Sequence, residues 1–102
     1  EKSILGDHYG AISDYSKAID INPTYAEVYY NRGITKSEIG DYYGAISDYS
    51  KAIEINPKYS SAYINRGITK QEIKDMKGAC YDWQKATSLG YESAAKWVRD
   101  QC

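Results

Sequence analysis

Displaced by 34 residues, the chain matches itself. Gly10 to Ile19 (GAISDYSKAI) falls on Gly44 to Ile53 without a mismatch, Ile21-Asn22-Pro23 on Ile55-Asn56-Pro57, and Asn31 to Lys36 (NRGITK) on Asn65 to Lys70. Gly78, Ala79, Asp82, Lys85 and Ala86 carry the register into a third, more divergent copy. A unit this short cannot bury its own apolar face. Each copy must lean on its neighbours, which confines the chain to a stack of repeats.

Within one copy, Ala45, Tyr49 and Ala52 stand at i, i+4 and i+7, and Tyr29, Gly33 and Lys36 repeat that spacing one segment earlier. Both segments read as amphipathic helices. Gly40 suits the left-handed residue that ends a helix, and Asp41 can accept backbone N–H bonds at the start of the next. Asn56-Pro57 stops the second helix, because proline lacks a donor and keeps its predecessor out of the helical region. The unit is therefore helix, tight turn, helix.

Tyr29, Gly33, Ala45, Tyr49, Ala52 and Pro57 stand in the W…G…A…F…A…P order of the tetratricopeptide repeat family, and the chain resembles that family over essentially its whole length. The resemblance implies an all-α fold: a right-handed superhelical stack of antiparallel helix pairs, an α-solenoid, closed by a C-terminal capping helix. Each position has a mechanical reason. Gly33 lets two helices approach, the alanines sit in that contact, and Tyr49 fills the space between.

One domain over 1–102 is expected, with a truncated first repeat at 1–25, a second repeat at 26–59, a third at 60–90 and a capping helix at 91–102. The first repeat keeps only a stub of its first helix, so the face carrying Ala11, Tyr15 and Ala18 is expected to be wet in a monomer. Two readings stand for it: the cut edge of a longer array, or an oligomer face covered by another copy. The third copy drifts after Thr87, replacing the Asn-Pro stop with Leu89-Gly90-Tyr91. In the helix that follows, Ala94, Ala95, Trp97 and Val98 should pack on the last repeat, with Lys96, Arg99 and Asp100 in water.

The chain departs from the family at Arg32, Arg66, Lys36 and Lys70, which replace Leu and Tyr on a packed or half-packed face. Charge there needs a partner. Ion pairs of Arg32 with Asp48 and of Arg66 with Asp82 are one reading, and a solvated face is the other. The two cysteines also leave a choice. Cys80 and Cys102 come close if the last two helices are antiparallel, and a disulfide would then imply an oxidising, extracytoplasmic setting. Otherwise Cys80 is a small buried hydrophobe and Cys102 a terminal thiol, with the cytoplasm slightly favoured.

The resemblance further implies that the first helices of successive repeats line a concave groove. Carried over residue by residue, that groove comprises Glu27, Tyr30, Asn31, Ile34, Ser37 and Glu38, then Ser61, Ile64, Asn65, Ile68, Gln71 and Glu72. Asn31 and Asn65 can both donate to and accept from a peptide backbone, unless each is bonded within its own stack. Tyr30 is the candidate anchor. Most of the twelve tyrosines instead recur at packing positions, Tyr15, Tyr49 and Trp83 forming one column and Tyr29 and Tyr63 another. One subclass of the family clamps the C-terminal carboxylate of chaperones with basic groove residues. Asn31 fits its asparagine, but Ser61 and Asn65 stand where it needs cations, and Glu27, Glu38 and Glu72 suit a neutral or basic ligand better.

The expected partner is a protein or peptide, and the alternative is self-association into a homo-oligomer. A net charge of −1, with both signs interspersed, gives no basic stripe for nucleic acid. No apolar run approaches the ~20 residues of a membrane span. No Cys/His cluster has metal-ligand spacing, no cofactor motif is present, and the glycines fall at helix contacts and turns. His8, the only histidine, is expected at the surface without a nucleophile beside it. An enzyme is not expected.

Overall fold

The computed structural model describes residues 7–102. They form six helices: α1 (His8–Ile21), α2 (Ala26–Glu38), α3 (Tyr42–Ile55), α4 (Ser60–Glu72), α5 (Met76–Ser88) and α6 (Glu92–Gln101). Each packs mainly on its chain neighbours, and α2 also touches α4. The result is an all-α repeat solenoid, as the sequence pattern requires.

Local chemistry sets the helix boundaries. The Asp41 and Asp75 carboxylates accept from the Gly44 and Gly78 amides at 3.0 and 2.9 Å, capping α3 and α5. The turn before α3 closes when Asp41 N–H donates to the Lys36 carbonyl at 2.8 Å and Gly40 N–H to Ser37 at 3.1 Å, with Gly40 at φ +86°. In the next repeat Lys74 holds that left-handed position at φ +69° with the same two bonds, Asp75 to Lys70 and Lys74 to Gln71. A side chain there is strained, because its Cβ crowds the carbonyl.

The core runs along the helix pairs. Ala45, Ala52, Ala62, Ala79, Ala86 and Ala94 are fully enclosed, and Tyr49 and Trp83 fill the gaps between them. A Cβ on Gly33 would lie 2.8 Å from the Tyr49 ring, and one on Gly67 would lie 2.5 Å from the Trp83 indole nitrogen. Only glycine lets α2 and α4 sit so close to their partners. The column is not chemically uniform: the Trp83 indole nitrogen is buried without a hydrogen-bond partner.

Charge is built into this core. Arg32 donates from Nε and Nη2 to the two carboxylate oxygens of buried Asp48, both at 2.8 Å, and Lys36 stands 3.2 Å from the same group. Arg66, Lys70 and Asp82 repeat the arrangement. Each arginine also reaches back one repeat, to the Ser16 and Ser50 hydroxyls, and lies over a tyrosine ring, Tyr29 or Tyr63. Hydrogen bonding to Asp48 holds the Arg32 guanidinium above its ordinary pKa, although burial opposes it. The paired reading of the arginines is the one found.

Cys80 in α5 and Cys102 after α6 are joined by a disulfide with their Cα atoms 5.9 Å apart. Trp97 of α6 meets Trp83 edge-on at 5.6 Å, and enclosed Ala94 completes the seam. Lys96, Arg99 and Asp100 are exposed. At the other end, Ala11 is buried and Tyr15 and Ala18 are half-buried. The face expected to be wet is thus partly covered, α1 lying against α2.

Candidate functional site

The adjacency of α2 and α4 lays their outward residues on one face. There Glu27, Glu38, Ile68 and Glu72 are exposed, while Asn31, Ile34, Ser37, Ser61, Asn65 and Gln71 are half-buried. Ile64, expected on the open groove, is buried at 6% exposure. It occupies the register position of Tyr30, between neighbouring helices, so only its edge reaches the surface.

Tyr30 is more engaged than a free anchor. Its ring packs 5.0 Å from Tyr59 and 5.8 Å from Tyr49, and its hydroxyl accepts from the Asn65 side-chain amide at 2.7 Å. Burial raises its phenol pKa, opposed by hydrogen bonding to Ser61 and Asn65. Asn65 is therefore held within the stack through its Nδ2 and keeps its carbonyl oxygen for another donor.

Tyr30, Ser61, Ile64, Asn65 and Tyr91 surround a shallow recess of about 110 Å³. Tyr91 was not among the sequence candidates. It directly precedes α6 as Tyr25 and Tyr59 precede α2 and α4, but α5 and the loop after it are each one residue shorter than α3 and its loop, so a fixed 34-residue shift passes over it. That shared position was the signal available. Gln71 donates to the Gln101 side chain at 2.7 Å. Through these contacts α6 extends the face as a third helix beside α4.

His8 departs from expectation. It is buried, with Nε2 3.0 Å from the Glu38 carboxylate, because antiparallel packing sets the first turn of α1 against the last turn of α2. Among the described residues no group of three or more His, Cys, Asp and Glu is arranged to hold a metal. No helix among them is long and apolar enough to cross a membrane.

Residues 26–59 match the family model described as Tetratricopeptide repeat, and residues 4–40 match the one described as TPR repeat. No curated protein sequence matches significantly. Among solved structures, the first TPR of Spaghetti (RPAP3) bound to the HSP90 peptide SRMEEVD superposes with a TM-score of 0.84 at 25% identity, covering 92% of this chain and 76% of that one. The second TPR of Spaghetti, bound to the same peptide, gives 0.79 at 26% identity over 82% and 78%. MamA gives 0.81 at 28% identity over 87% of this chain and 52% of its own. The chain spans about half the length of that structure.

Proposed function

Because the chain belongs to the tetratricopeptide repeat family, we propose that it is a protein-interaction scaffold that holds an extended peptide or helix of a partner on the face of α2, α4 and α6. The observation that carries this reading is the likeness, at TM-score 0.84, to a domain bound to a peptide. The composition of the face agrees with it. Ile34 and Ile68 offer apolar contact, while Asn31 and Asn65 offer amides that can pair with a backbone of any sequence. Interfaces of this kind place a few anchors in a polar surround.

The test is a titration of the isotope-labelled chain with a pool of randomised heptapeptides, followed by amide shifts. Changes are expected to concentrate at Asn31, Ile34, Asn65 and Ile68. Shifts confined to α1, α3 and α5 would place binding on the opposite surface and end the groove reading.

A further inference from the structure

We propose that the occupant of the concave face is a basic peptide segment, one of whose arginine or lysine side chains seats in the recess between Tyr30 and Tyr91 within reach of Glu27. This inference rests on the groove reading above and names the chemistry of the ligand.

Charge is partitioned between the inside and the face. Helices α2 and α4 together contain four basic residues, Arg32, Lys36, Arg66 and Lys70. All four turn inward onto Asp48 and Asp82. The carboxylates of the same two helices, Glu27, Glu38 and Glu72, remain exposed, Glu38 with His8 at its side. On α6 the Lys96 ammonium is neutralised by Asp100 at 2.7 Å. An excess of negative charge stays on the face, which favours encounter with a cationic segment and disfavours an acidic one.

The recess supplies the matching local chemistry. Tyr30 and Tyr91 both line it, with Tyr91 exposed, and aromatic rings attract a cation, guanidinium above all. The Arg32–Tyr29 and Arg66–Tyr63 contacts within this chain use the same pairing. The Asn65 carbonyl oxygen, its amide nitrogen committed to Tyr30, is left to accept from an N–H of the ligand. Glu27 stands one helical turn before Tyr30, on the same side of α2.

The experiment compares three acetylated, amidated heptapeptides that differ only at two positions, occupied by arginine, glutamine or glutamate. They are titrated into the labelled chain at low salt. The arginine peptide is expected to shift the Asn65 side-chain amide and to bind about tenfold tighter than the glutamine version, a difference equal to ~1.4 kcal/mol. The glutamate version should give no saturable shift. Glu27→Gln should weaken the arginine peptide about two- to fivefold, the size expected of an exposed ion pair, and so narrow its advantage over the glutamine peptide. Glu54→Gln, on α3, should change neither. Groove shifts with equal or tighter binding of the glutamine or glutamate peptide would overturn the basic preference while the groove reading stands. Silence of all three peptides and of the randomised pool would overturn both.

Discussion

The Arg66 guanidinium meets the Asp82 carboxylate edge to edge, through Nε at 2.9 Å and Nη2 at 2.7 Å, and Asp82 has no exposed surface. With Lys70 at 3.2 Å on one side and the Ser50 hydroxyl at 3.0 Å on the guanidinium, the network joins α3, α4 and α5. A carboxylate so enclosed is tolerated only because its partners are fixed.

Removing that carboxylate strands two cations inside the stack. Asp82→Ala is expected to lower unfolding stability by about 3–5 kcal/mol, the range for breaking a buried pair from one side. Arg66→Ala in the same background should then cost little, because its partner is already gone. Urea unfolding of the two single variants and the double variant measures this coupling. Additive losses would show that the pair contributes nothing beyond its separate members.

Two positions of the backbone test the register from opposite directions. Gly67→Ala puts a methyl against the Trp83 indole and should destabilise by about 1–3 kcal/mol, overpacking outweighing the gain of up to ~1 kcal/mol in helix propensity. Lys74→Gly relieves a left-handed side chain and should stabilise by about 1 kcal/mol. Thermal unfolding of both variants gives the signs. A stabilised Gly67→Ala would mean that α4 and α5 can move apart freely.

The disulfide closes a segment of 22 residues in sequence separation and holds the end of α6 to α5. Reduction, or Cys102→Ser, should cost about 2–4 kcal/mol, mainly by freeing the unfolded chain. The loss is expected first in α6, where hydrogen exchange should accelerate at Trp97 and Val98 before it does at Tyr49. Uniform acceleration throughout the chain would show that the cap is no separate unit.

The architecture was legible because one decapeptide recurs without change and its alanines and tyrosine fall at packing positions. Gly33 and Tyr49 could be paired before any coordinates, whereas for Arg32 the sequence left a pair with Asp48 and a solvated face both open, and the structure has the pair. Other features lay beyond a periodic reading. Tyr91 is displaced by the loss of one residue from α5 and one from the loop after it, which hides it from a fixed shift. His8 is polar and opens a helix, so nothing local reveals that α2 covers it end-on. Ile64 and Tyr30 share a register position on the margin between core and groove. Which side of that margin a residue takes depends on its neighbours from the next repeat: Tyr30 packs on Tyr59 and stays half-buried, while Ile64 is buried.

The phenol of Tyr49 supplies the pH test. Burial, opposed by hydrogen bonding to Ser37, pushes its pKa from 10.0 up to about 12. Raising an acid's pKa on folding means that the folded chain holds the proton after the unfolded chain has lost it. The contribution is therefore complete below the unfolded value and disappears as pH rises from 10.0 through about 12. Tyr30 and Tyr59 are shifted in the same direction by burial and add to the slope. Tyr49→Phe has no proton to lose, so the difference between parent and variant should shrink across that window by up to about 2–3 kcal/mol. Denaturant midpoints measured for both proteins at intervals between neutral and strongly alkaline pH provide the comparison. A constant difference would mean that the Tyr49 hydroxyl ionises as easily in the stack as in the unfolded chain, and that the space beneath Gly33 is open to water.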